Sequence, residues 1–153
     1  YRFKGAVHFM EYGVDTLYYF NNNQKKAYAS LLMGNLKMDP DANAKDYRLL
    51  SEKLWLNSIV ENNGFMFLKF SKGMSDASVC AVYDKVANTV TFIEGKGLKN
   101  DIIGGSYFWP EQVFNDQSLI AYDDAFNILK SVIPEDLRKK IKQTSNPVLM
   151  ILK

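Results

Sequence analysis

Apolar and polar residues alternate along much of this chain with a period of two. Over residues 1–9, Tyr1, Phe3, Val7 and Phe9 fall on one side of an extended segment and Arg2, Lys4 and His8 on the other, which predicts a half-buried strand. Gly13 interrupts it. Val14–Phe20 predicts a second strand with Asp15 and Thr16 at its mouth, Asn21–Asn23 is a turn signal, and Ala27–Met33 predicts a third strand ended by Gly34. Lys37–Asp46 is a polar connection holding Pro40. A short helix follows, with Tyr47, Leu50 and Leu54 at helical spacing.

Trp55–Glu61 returns to strand character, and Asn62, Asn63 and Gly64 form a hairpin-type turn. Phe65–Phe70 is apolar on both faces, the pattern of a central strand covered from both sides. Ser78–Tyr83 predicts another strand, Asp84–Asn88 a turn and Thr89–Ile93 an alternating strand. Residues 55–93 thus read as four short antiparallel strands, and residues 1–33 as much of a second such unit. Tyr107–Val113 and Ser118–Tyr122 predict two more strands. The period then lengthens: Ala125, Ile128, Leu129 and Val132 have helical spacing. Pro134, Glu135 and Asp136 open a second helix, Arg138, Lys139, Lys140 and Lys142 load its end, and Asn146-Pro147 stops it. Val148–Leu152 is a last apolar strand. A four-strand meander recurring at roughly 40–50 residues predicts an all-β fold built from propeller blades, without an exact sequence repeat.

The stretch Asn100–Pro110, NDIIGGSYFWP, breaks from this alternation. Gly104 and Gly105 permit a sharp turn, Asn100 and Asp101 can hold it by accepting backbone hydrogen bonds, and Tyr107, Phe108 and Trp109 favour a strand that Pro110 ends or places at an edge. Two readings follow. One is a polar loop beside an aromatic platform, with Asn100, Asp101, Phe108 and Trp109 contacting a sugar or peptide. The other buries the aromatics in the core, and it is the more economical because aromatic side chains gain most by burial.

At NDIIGGSYFWP and the closing SNPVLMILK, the chain resembles a family of six-bladed β-propeller proteins from Bacteroidetes, typically secreted or lipid-anchored. In that family an Asn-Asp-(apolar)-Asp-Gly-Gly turn leads into an aromatic-Pro strand, a helical insertion follows, and an Asn-Pro-Val-Leu strand closes the chain. Asn100, Asp101, Gly104, Gly105, Phe108, Pro110, Asn146, Pro147, Val148 and Leu149 fit that pattern, and Tyr83-Asp84-Lys85 looks like its strand-ending turn. Ile103 stands where the family has its second Asp, which removes a carboxylate from the turn. The resemblance implies a periplasmic or outer-surface location and a fold more than an activity. At the same blade length, 153 residues supply about three blades, so residues 1–153 read either as a single domain or as the C-terminal half of a six-bladed ring. The remaining blades, or a second copy of the chain, are then expected to cover the exposed sheet edges. The start at Tyr1 suggests a processed or truncated product.

Composition narrows the chemistry. A hydrophobic share of 47% is ordinary for a globular domain, and a net charge of +2 is too weak a bias for a dedicated nucleic-acid binder. No apolar run is long enough to cross a bilayer as a helix. Cys80 is the single cysteine and lies in an apolar strand, where a buried, inert thiol is expected. Asp39, Asp41 and Asn43 start like a calcium loop, but Ala44 and Leu50 replace its required Gly and Glu. His8, the only histidine, would have to serve any Ser-His-acid triad, and no phosphate-binding glycine loop is present. Asp123-Asp124 and Glu135-Asp136 sit where helices begin, so capping explains them. The expectation is a non-catalytic, ligand-binding or protein-interaction propeller of the cell envelope, with a glycan or peptide ligand and no cofactor. The alternative is a calcium-dependent, lactonase-like propeller hydrolase drawing on Asp15, Asn100 and Asp101.

Overall fold

Consecutive residues of positive φ set the first strands. Lys4 and Gly5, at 48° and 74°, form a two-residue hairpin turn. They divide the single strand expected over residues 1–9 into β1 (Arg2–Phe3) and β2 (Ala6–Met10). Because the turn takes up two residues, Tyr1, Phe3, Ala6 and His8 share one side of the sheet and Val7 and Phe9 the other. The faces read from the sequence are therefore corrected: His8 is buried, and Val7 is 44% exposed. Asn22 and Asn23, at 49° and 59°, make the same kind of turn between β3 (Thr16–Asn21) and β4 (Gln24–Ser30). β4 stops at Ser30, short of the expected Met33, and a 3₁₀ turn at Gly34–Leu36 follows.

The computed structural model describes residues 1–11, 13–39, 47–73, 78–101 and 107–152. The calcium-loop positions Asp41 and Asn43, and the turn residues Ile103, Gly104 and Gly105, lie outside that set. The short helix is α1 (Tyr47–Leu50), and Leu54 already belongs to the next strand. That strand, β5 (Leu54–Glu61), leads through Asn62-Asn63-Gly64 to β6 (Phe65–Lys72), β7 (Ser78–Asp84) and β8 (Thr89–Ile93). Asn62 Oδ1 holds the first turn by accepting from the Gly64 and Phe65 amides at 3.0 and 2.7 Å, and Asp84 Oδ1 holds the last from Val86 and Ala87.

The strand expected over Tyr107–Val113 is not continuous. Phe108 pairs with Leu98 through two 2.8 Å backbone bonds, the chain then leaves the ladder at Pro110, which has no N–H to give, and pairing resumes in β9 (Gln112–Phe114). β10 (Ser118–Asp123), α2 (Ala125–Lys130), α3 (Glu135–Lys140) and β11 (Val148–Leu152) complete the order. Asp123 Oδ1 accepts from the Asp124 backbone N–H at 2.8 Å and from Asn127 Nδ2 at 3.0 Å, and the expected capping is corrected: neither α2 nor α3 has a side-chain hydrogen bond at its N-cap. Arg138, expected to complement its own helix end, reaches back to the carbonyls of Leu129 and Ser131, both at 2.9 Å, and so closes α2.

Three antiparallel sheets result, ordered β1-β2-β3-β4, β5-β6-β7-β8 and β11-β10-β9. The fold is mainly antiparallel β, with short helices. The second sheet lies between the other two. Val60, Phe67 and Cys80 on one of its faces meet Phe108, Trp109, Leu119 and Ala121. Met66, Leu68, Phe70 and Ala81 on the other meet Leu17, Met10 and Ala29. β6 is thus covered on both sides, as an apolar run interrupted only at Lys69 between Phe65 and Phe70 requires, and each buried apolar side chain contributes about 1.5–3 kcal/mol by leaving water.

Candidate functional site

The four residues singled out in the sequence separate in space. Phe108 and Trp109 are buried, 8% and 9% exposed, and Trp109 stands edge-on to Phe67 with ring centroids 5.8 Å apart. They pack with Val60, Phe67 and Cys80 and so anchor the third sheet to the second. Asn100 is half-buried, its Nδ2 donating to Met150 Sδ at 3.8 Å, and Asp101 is exposed. Asn100, Asp101 and Phe108 border an apolar cavity of about 390 Å³ closed by Leu98, Ile128 and Leu149. Trp109 borders a different space.

That second space is a cleft of about 620 Å³ between the second and third sheets. Asn57, Ser58, Lys69, Ser71 and Ser78 form its wall on the second sheet, and Trp109, Pro110 and Glu111 face them. Nearby, the opening strands of all three sheets approach one another. Tyr1 and Arg2 from the β1 end, Ile59–Glu61 from β5, and Glu111 and Gln112 at β9 line one groove of about 280 Å³.

Glu61 sits between that groove and the first sheet and is completely buried. Its carboxylate accepts from the hydroxyls of Tyr1 and Tyr28 and pairs with Lys85. Burial, reinforced by the Glu61 bond and charge, pushes both phenols well above the ordinary tyrosine range. Lys85 also donates to the Asn62 carbonyl at 2.7 Å and lies 4.0 Å from the Phe3 ring centroid. Beside this cluster His8 is stacked on Tyr1 and Tyr19 at 5.0 and 5.5 Å, with Tyr28 edge-on at 4.5 Å. Burial lowers its pKa, outweighing the Glu61 charge and the backbone bond at Phe3 that raise it, so the imidazole is held neutral. This cluster escapes a sequence reading because its members lie far apart in the chain. The one local signal is a Glu that directly follows the apolar pair Ile59-Val60 at the end of β5.

Cys80 is fully buried, and that burial pushes its thiol up, away from nucleophilic chemistry. Asp15 is engaged with Lys37 at 3.6 Å. Among the described residues, no three His, Cys, Asp or Glu side chains cluster as metal ligands, and no helix is long and apolar enough to cross a membrane. Comparison with protein-family models, curated proteins and solved structures finds no match to this chain.

Proposed function

We propose that the chain forms blades of a non-catalytic β-propeller that binds a glycan or peptide, or a protein partner, in the bacterial cell envelope. The observation that carries the reading is the convergence of β1, β5 and β9. β1 and the entry to β9 bring Arg2, Glu111 and Gln112 to one groove beside β5, as inner strands of propeller blades meet around a central channel. The envelope setting rests on the resemblance at residues 100–110 and 146–150. The six-bladed ring is supported by the outer faces of the stack, which carry apolar residues suited to further blades or a second copy. On the first sheet Phe9 stacks between Tyr18 and Phe20, and on the third Phe114 and Ile151 are 59% and 54% exposed.

Glycan and peptide arrays probed with the folded chain test the reading. The expected result is a defined ligand, recovered chemically unchanged, whose affinity falls about tenfold or more on Arg2→Ala or Gln112→Ala. Turnover of the ligand, or no ligand retained on either array, overturns it.

A further inference from the structure

The face that the second sheet turns towards the third changes character along its length. The cross-strand row Val60–Phe67–Val82 is apolar up to Thr91 on the edge strand. In the next row, Ser58 and Lys69 stand beside Cys80 and Ile93, and beyond it Ser71 lies between Trp55 and Ser78. The opposite face of β6 shows no such change: Met66, Leu68 and Phe70 are all buried. Sheet stacking alone would be served better by apolar residues in the polar rows, as on that opposite face.

Two further features of the polar end suit a ligand. The β5–β6 register shifts at Asn57, so the bulge brings an extra polar side chain beside Ser71, whose Oγ donates to Asn57 Oδ1 at 3.3 Å. Bulges commonly re-aim side chains in this way at binding sites. Lys69, half-buried, has no carboxylate partner among the described residues. Its cross-strand neighbours, Ser58 and Cys80, supply no counter-charge. Glu111, the carboxylate across the cleft, is exposed and does not pair with Lys69, so this half-buried cation favours an anion in the adjoining space.

We propose that this cleft binds a sugar acid, its carboxylate paired with Lys69. The inference rests on the ligand-binding reading above and names the class of ligand. Its volume of about 620 Å³ suits one or two sugar rings. The Ser58, Ser71 and Ser78 hydroxyls and the Asn57 amide supply donors and acceptors for ring hydroxyls. Trp109, which borders the cleft over a buried Pro110, gives a small apolar contact for a ring, and the exposed Glu111 accepts from hydroxyls at the rim. The same Glu111 charge repels a phosphate dianion more strongly than the single charge of a carboxylate.

Calorimetric titration with glucuronate and galacturonate, against glucose and galactose, provides the test. The acids are expected to bind about tenfold or more tightly than the neutral sugars, and more weakly as salt is raised. Lys69→Met is expected to abolish that preference without changing thermal unfolding, and Lys69→Arg to retain it. Ser78→Ala, a smaller change, is expected to weaken the acids if Lys69→Met does not fold. Equal affinity for acids and neutral sugars, or acid binding unchanged by Lys69→Met, overturns the proposal. A neutral glycan or peptide that binds through Arg2 and Gln112, while neither acid binds, overturns it and leaves the broader ligand-binding reading standing.

Discussion

Removing the Glu61 carboxylate tests whether the buried ionic cluster holds the first sheet to the second. In Glu61→Ala the Tyr1 and Tyr28 hydroxyls lose their acceptor and Lys85, only 18% exposed, loses its counter-charge. Breaking one side of a buried pair costs about 3–5 kcal/mol, because a charge is left in a poor solvent. Lys85 keeps the Asn62 carbonyl and the Phe3 ring, which puts the expected loss at the lower end, about 3 kcal/mol. That is a large part of the 5–15 kcal/mol that typically holds a domain. Glu61→Gln keeps an acceptor and the volume, so about 1–2 kcal/mol is expected. Combining Glu61→Leu with Lys85→Met removes both charges together and is expected to cost less than the sum of the single changes by about 1 kcal/mol or more. Urea unfolding followed by circular dichroism, with the slope fitted freely for each variant, measures all of these. A loss below about 1 kcal/mol for Glu61→Ala, or strictly additive single changes, would refute the reasoning.

Two further outcomes follow from burial. Trp109→Ala is expected to cost about 3–5 kcal/mol in the same unfolding assay, whereas Asp101→Ala, at an exposed carboxylate, stays within about 0.5 kcal/mol; a cost for Trp109→Ala no greater than that would return the indole to a surface platform. Stability is also expected to fall on both sides of neutrality. The folded pKa of His8 lies below its unfolded value of 6.5, so its contribution is complete above that pH and is lost as pH falls beneath it; His8→Phe should flatten this acid limb. The Tyr1 and Tyr28 values are raised, so their contribution is complete below about pH 10 and is lost as pH rises further; Tyr28→Phe should flatten the alkaline limb. Limbs unchanged by these substitutions would place the titration elsewhere.

Where neighbouring residues decide the outcome, the chain could be read directly. The Asn62-Asn63-Gly64 and Asp84–Asn88 turns, the doubly covered Phe65–Phe70 strand and the closing Val148–Leu152 strand all stand where local chemistry puts them, because a turn or an alternation is settled within a few residues. The first nine residues went astray for the opposite reason. Lys4-Gly5 is a weaker hairpin signal than Asn-Gly, so the alternation was carried through a turn that moves Val7 and His8 to opposite sides. The same slip placed a buried histidine on a solvent face. At Tyr107–Val113, strand propensity was overridden by a tertiary demand, since Phe108 and Trp109 fill the space beside Phe67 and Pro110 cannot donate to a ladder.

The polar cleft was legible only in part, and the reason bears on its use. Ser58, Ser71 and Ser78 each look like ordinary strand positions, and Lys69 is a lone charge inside the Phe65–Phe70 run that reads as apolar on both faces. Only the stacking of the third sheet makes those positions half-buried, and stacking is set by residues such as Leu119 and Trp109 at least 31 positions along the chain from Ser78. Once the sheets are stacked, polar residues on an inward face cost stability unless something satisfies them. Water can satisfy serine hydroxyls at little cost. It does less for Lys69, whose ammonium gains more from an anion than from water in a half-buried setting. A sequence that keeps a lysine between Leu68 and Phe70, on the one sheet covered from both sides, places its charge where a ligand could use it.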